Sequence, residues 1–145
     1  MKCPACRSLM LVVEHDGIEL DHCPACAGTW FDRDELALLL DETTGAVGGQ
    51  LSAAAVSALP AAATREQRRP CPACRQKMRK ANIGPGGRVL ADVCPAGHGL
   101  WFDNGEVATL AADLQREGKN LPARALSYLG EVIRRGDAAT QTEDC

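Results

Sequence analysis

Aromatic side chains are scarce: two Trp, two Phe and one Tyr serve 145 residues. A large conventional core would therefore have to come from Leu, Val and Ala. There is also no run of about 20 predominantly apolar residues, which argues against a membrane-spanning helix. The nearest approach, "TTGAVGGQLSAAAVSALPAAAT" at 43–64, is mostly Ala, Gly, Ser and Thr. It reads as a linker with one short helix, in which Leu51, Ala54, Ala55, Ala58 and Leu59 share a face ahead of Pro60. No charged-then-apolar leader opens the sequence, since "MKCPAC" places two cysteines in its first six residues. A cytoplasmic, reducing location is the expectation, and there paired cysteines serve more often as metal ligands than as disulfides.

Cysteine, by contrast, is plentiful, with eight in the chain. Domains of about 40 residues rarely fold on apolar burial alone and usually need a metal or disulfides. The arrangement of the cysteines is therefore more telling than the hydrophobic fraction.

That arrangement repeats. Cys3 and Cys6 match Cys71 and Cys74, and Cys23, Trp30, Phe31, Asp32 and Glu35 match Cys94, Trp101, Phe102, Asp103 and Glu106. An internal repeat sets the architecture before any element is assigned. In the first unit "LMLVV" and "IELDHC" flank the turn signal "HDG"; in the second "MRKANI" and "RVLADVC" flank "GPGG". Both read as hairpins. Each unit ends in D-x-x-E, a variant of the capping box in which Asp32 or Asp103 caps a helix and Glu35 or Glu106 reaches back. In the second helix Val107, Leu110, Ala111 and Leu114 form an apolar stripe.

C-x-x-C lets two thiolates from one tight turn reach a single ion, and zinc takes four such donors tetrahedrally. Cys3, Cys6, Cys23 and Cys26 form one complete set. In the second unit Cys71, Cys74 and Cys94 leave a place vacant where Gly97 aligns with Cys26, and His98 follows directly. Imidazole is longer than CH₂–S and glycines flank it, so His98 is the expected fourth ligand of a Cys₃His site. The alternative is a surface histidine beside a degenerate copy. His22 adjoins a site already complete, and His15 sits at a hairpin turn; neither is expected to bind metal. Cys145 reads as a free thiol in a polar tail.

The residues "MKCPAC…DHCPACAGTWFDRDEL" and "CPAC…DVCPAGHGLWFDNGEV" resemble the transcription-factor-IIB-type zinc ribbon of small bacterial proteins. The resemblance covers 1–40 and 70–115. It implies zinc binding and a ribbon fold, with no general activity attached. C-P-x-C pairs also hold iron in rubredoxin-like knuckles, so an electron carrier is a further reading, which His98 weighs against. Neither site reads as catalytic, because a catalytic zinc keeps a position open for water. The chain is therefore not expected to be an enzyme. Trp30-Phe31 and Trp101-Phe102 either stack bases or pack each ribbon against its helix; packing is the expectation.

Charge is unevenly placed. Residues 1–42 carry three Lys/Arg against nine Asp/Glu, whereas 65–88 carry Arg65, Arg68, Arg69, Arg75, Lys77, Arg79, Lys80 and Arg88 against Glu66 alone. This block can meet nucleic acid, an acidic protein, or the chain's own acidic ribbon. The net charge of −3 favours the protein readings.

The sequence thus points to a small metal-stabilised α+β protein holding two Zn²⁺. Residues 1–42 form a first ribbon, 43–69 a linker, 70–118 a second ribbon, and 119–145 a C-terminal helix and disordered tail. The C-terminal helix would start at Asn120-Leu121-Pro122, with Leu126, Leu129 and Ile133 on one face. The expected role is a protein-interaction or adaptor module, with nucleic-acid binding as the alternative.

Overall fold

The fold is seen in a computed structural model, which describes residues 1–15, 17–40, 51–118, 121, 125, 127 and 128. Both expected hairpins are present. β1 (Leu11–His15) pairs with β2 (Ile18–His22). After a third strand, β3 (Thr29–Asp32), come helices α1 (Glu35–Leu40) and α2 (Ala53–Ser57). The second unit supplies β4 (Arg79–Ile83), a short turn of 3₁₀ helix at Pro85–Gly87, β5 (Val89–Val93), β6 (Gly99–Phe102) and α3 (Glu106–Arg116). The architecture is a small α+β fold on an antiparallel sheet.

The third strand of each unit was not anticipated, and it decides how the units meet. β3 pairs antiparallel with β6, giving one six-stranded sheet in the order β1-β2-β3-β6-β5-β4. In this register Trp30 faces its own repeat equivalent, Trp101, while Thr29 faces Phe102 and Phe31 faces Leu100. The seam is therefore self-complementary, as in a two-fold dimer interface, but within one chain.

Side chains alternate across a strand, so Trp and Phe of each W-F pair point to opposite faces. Phe31 and Phe102 meet edge to face at 5.8 Å, in a core that includes Leu36, Leu39, Leu40, Leu110 and Leu114 of α1 and α3. Leu51 and Val56 join it, as does Tyr128, whose ring lies 6.1 Å from Phe31. The segment expected as a linker is thus partly core. Among its described residues Leu51, Ala53 and Val56 are buried, whereas Ala54 and Ala58 are exposed. Most of the expected C-terminal helix, including Leu126, Leu129 and Ile133, lies outside the described residues, as does Cys145.

Trp30 and Trp101 lie on the other face, fully buried with the cysteines and with Met10 and Met78. Each indole runs along its strand to donate to the aspartate two residues on: Trp30 Nε1 to Asp32 at 2.8 Å, Trp101 Nε1 to Asp103 at 3.1 Å. So directed, each ring lies over a glycine of the other unit. A Cβ on Gly28 would sit 2.2 Å from Trp101 Cζ2, and one on Gly99 would sit 2.6 Å from Trp30 Cζ2.

This use of Asp32 and Asp103 corrects their reading as helix caps. Helix α3 begins after Gly105, which has no side-chain cap, because the Asp103 carboxylate is occupied by the indole and by Arg69. The glutamate half of the motif is seen in the second unit, where Asp103 N–H donates to Glu106 Oε1 at 2.9 Å.

Gly28→Ala is expected to cost about 1–3 kcal/mol through overpacking against a fixed indole. Gly17→Ala, with open space but a φ of 82°, should cost about 1–2 kcal/mol from the left-handed backbone alone. Urea titrations of the zinc-loaded proteins compare them, and a neutral Gly28→Ala would contradict the tight seam.

Candidate metal centres

All eight predicted donors fall into two groups, Cys3, Cys6, Cys23, Cys26 and Cys71, Cys74, Cys94, His98. Within each group the donor atoms lie within 4.8 Å of one another. Two thiolates each about 2.3 Å from one zinc at the tetrahedral angle would be about 3.8 Å apart, against about 2.05 Å in a disulfide. Cys3 Sγ–Cys26 Sγ is 3.7 Å, Cys6 Sγ–Cys23 Sγ 3.6 Å and Cys74 Sγ–Cys94 Sγ 3.6 Å. The spacing fits an ion at the centre of each group, and together the groups fit two zinc ions.

The first cysteine of each pair (Cys3, Cys23, Cys71, Cys94) is buried, while Cys6, Cys26, Cys74 and His98 are partly exposed. Backbone N–H groups point at the buried sulfurs: Ala5 to Cys3 and Ala73 to Cys71 at 3.3 Å, and Ala96 to Cys94 at 3.4 Å. Such donors favour thiolate. The Cys26 thiol, then burial and the amides of Cys6 and Ala5, act on Cys3, and the net effect brings it down to about 6. Burial raises Cys94, but backbone donors at His98 and Ala96 outweigh it, leaving it at about 7. Burial dominates at Cys71 and pushes it up to about 12.

The geometry answers the question posed by the altered fourth knuckle. In the other three, the N–H after the second cysteine closes onto the carbonyl of the first: Arg7 on Cys3, Ala27 on Cys23, and Arg75 on Cys71. Those three residues are left-handed, with φ of 70°, 64° and 68°. In the fourth the turn closes one residue sooner, Gly97 N–H donating to Cys94 O at 2.9 Å, and Gly97 takes the left-handed place at φ 81°. The outer bond is unchanged, with Cys23 N–H to Gly28 O at 2.9 Å and Cys94 N–H to Gly99 O at 3.1 Å. The residue left between the shortened turn and that bond is His98. Its ring Nδ1 lies 3.3 Å from Cys94 Sγ. The shortened turn, rather than the length of imidazole, absorbs the offset. His22 is buried but belongs to neither group.

Charge around the sites differs between the units. One row of cross-strand neighbours runs Val12–Asp21–Trp30–Trp101–Asp92–Lys80 across the sheet. In the second unit Asp92 is answered by buried Lys80 at 2.6 Å and by Arg69 at 3.8 Å. Glu66 lies 3.2 Å from Lys80, and Arg69 also pairs with Asp103. Arg79 donates to the carbonyls of Ser57 and Leu59, Arg68 to those of Met78 and Lys77, and Arg88 pairs with Asp113. Five of the eight basic residues are thus engaged within the chain. Their acidic partners belong to the second unit and its approach segment, not to the acidic first ribbon. In the first unit burial, Asp32 and Glu19 raise the proton affinity of Asp21, which the Met1 ammonium partly offsets. Burial also brings Glu35 and Glu106 up to about 7.

Two four-donor knuckle sites on a shared antiparallel sheet define a metal-stabilised ribbon protein. A family model described as transcription factor zinc-finger, of the TFIIB zinc-ribbon type, matches residues 2–42 and again 70–113, and the chain belongs to that family. No curated protein and no solved structure matches the chain. Among the described residues no helix is long and apolar enough to cross a membrane.

The sequence reading missed the G-x-W-F-D seam, although the signal was present: glycine recurs two residues before Trp in both units. It also missed the Lys80–Asp92 pair, which no local motif announces.

His98→Ala is expected to weaken zinc binding at the second site by about a hundredfold or more. Competitive zinc titration of the whole chain reads this, and unchanged affinity would make His98 a bystander.

Proposed function

We propose that the chain is a cytoplasmic protein in which Cys3, Cys6, Cys23 and Cys26 bind one zinc, and Cys71, Cys74, Cys94 and His98 a second. In this reading both ions are structural, and the protein acts as an interaction or adaptor module without enzymatic activity. Four protein donors per ion leave no position for a substrate or an activated water. A Cys₃His set with a ring nitrogen also disfavours a rubredoxin-like iron carrier.

The observation that carries the reading is the fate of the groups a nucleic-acid binder needs. Trp30, Phe31, Trp101 and Phe102 are each 0 % exposed, so none offers a stacking face. Of the basic block, Arg65, Arg68, Arg75, Lys77 and Arg88 are exposed, but Arg68 is bonded to the carbonyls of Met78 and Lys77 and Arg88 to Asp113, which among the described residues leaves Arg65, Arg75 and Lys77 without such a tie. Three spaced cations make a weak phosphate track.

Anisotropy of labelled single- and double-stranded oligonucleotides against the zinc-loaded chain tests this. At about 150 mM salt, dissociation constants weaker than about 10⁻⁴ M are expected, the weak end of non-specific binding. Submicromolar binding that Arg65→Glu and Lys77→Glu abolish would replace the adaptor reading with the nucleic-acid one.

A further inference from the structure

The two ribbons share a backbone plan but differ along their outer edges. The outer strand of the second ribbon is covered. Ala62 N–H donates to the carbonyl of Lys80 at 2.8 Å, and Arg79 holds the carbonyls of Ser57 and Leu59. A stretch of this same chain, outside any strand, is thus held against β4 by one backbone bond and the Arg79 guanidinium. Lys80 meanwhile reaches across to Asp92 on the metal face.

On the first ribbon the position of Lys80 is taken by Val12, and that of Arg69 by Met1. The local backbone is the same: Met10 N–H donates to Met1 O as Met78 N–H does to Arg69 O. Asp21 holds the place of Asp92 and is only 9 % exposed; the Met1 ammonium acts on it, but among the described residues no Lys or Arg pairs with it as Lys80 and Arg69 pair with Asp92. Val12 beside it is 66 % exposed, with Leu11 at 51 % and Leu9 at 69 %. Directly along the hairpin, Glu14 faces Glu19, a like-charge pair that destabilises unless a cation intervenes. Among the described residues the first ribbon therefore presents an uncovered apolar strand edge beside carboxylates, where the second ribbon has a stretch of its own chain held by one backbone bond, and its own cations.

We propose that the β1 edge of the first ribbon is a docking site for an extended basic segment of a partner protein. Such a segment would add as a strand against β1 and place a Lys or Arg on Asp21. Strand addition supplies main-chain hydrogen bonds, and the side chains set specificity. The exposed Val12 and Leu11 call for apolar neighbours, and Asp21, Glu14 and Glu19 for positive ones. The second ribbon contains an internal counterpart of each half: a backbone bond from Ala62 to β4 and the Lys80–Asp92 pair. The proposal rests on the protein-interaction reading and names the surface that it uses.

The test uses the zinc-loaded full chain, ¹⁵N-labelled, titrated with an acetylated Val-Arg-Val-Arg-Val pentapeptide. Saturable shifts at residues 11–14 and 19–22 are expected, with none for the Val-Glu-Val-Glu-Val counterpart. Asp21→Asn should weaken binding about tenfold or more, the scale of a lost charge-assisted contact. Val12→Lys, on an exposed site, should abolish binding by supplying internally the cation that Lys80 supplies in the second ribbon. It keeps the test valid should Asp21→Asn fail to fold. Absence of saturable shifts, or binding indifferent to Val12→Lys, overturns the proposal. So does a concentration-dependent dimer whose shifts map to β1 and to Arg65–Arg69, which would assign the edge to a second copy. Failure here with oligonucleotide binding also absent removes this edge only; tight oligonucleotide binding removes the adaptor reading itself.

Discussion

Each tryptophan of this chain lies over a glycine of the other repeat, and that reciprocal seating constrains everything around it. Gly28 has no room for a Cβ beneath Trp101, nor Gly99 beneath Trp30. The indoles are aimed by Asp32 and Asp103. Because β3 and β6 then pair in only one register, the two hairpins become one sheet and the helices of both units share one core. An aromatic content of 3 % is enough, since all four Trp and Phe side chains are fully buried at or beside this seam.

The metal sites lean on the same arrangement. Cys23 and Cys94 belong to the apolar cluster that holds Trp30 and Trp101, so each ion's donor set is packed against the junction. The knuckle that lost a cysteine kept its outer backbone bond and shortened its inner turn, which brings His98 to Cys94. Glycine at position 97 makes that change inexpensive, because the left-handed conformation costs it little. Zinc and seam thus stabilise one body.

Much of this was legible in the residues. Repeated cysteine spacing gave both donor sets, including His98, because ligand chemistry is local and its spacing is short. Hairpins were legible from turn glycines and alternating strands. The seam was not, because W-F-D reads equally as a helix approach or as a four-residue strand, and only pairing with a distant equivalent decides. For the same reason Asp32 and Asp103 looked like caps when their carboxylates serve the indoles. The linker helix was found but rotated, with Val56 rather than Ala54 facing inward, since an Ala-rich segment carries little amphipathic signal. The basic block hid five internal partnerships that only tertiary contact reveals.

The repeats differ at the outer edges, where Lys80 and Arg69 hold the places that Val12 and Met1 hold in the first unit, and at the fourth knuckle, where His98 serves in place of a thiolate. Packed this way, two sites and one seam form a single cooperative unit. Amide hydrogen exchange on a Cys26→Ser variant tests it most directly, with residues 99–102 of β6 as the reporter. A cooperative unit predicts that damaging the first site lowers protection in β6 of the second ribbon by about as much as in β3. Full native protection in β6, with loss confined to residues 1–40, would contradict it and restore two independent ribbons.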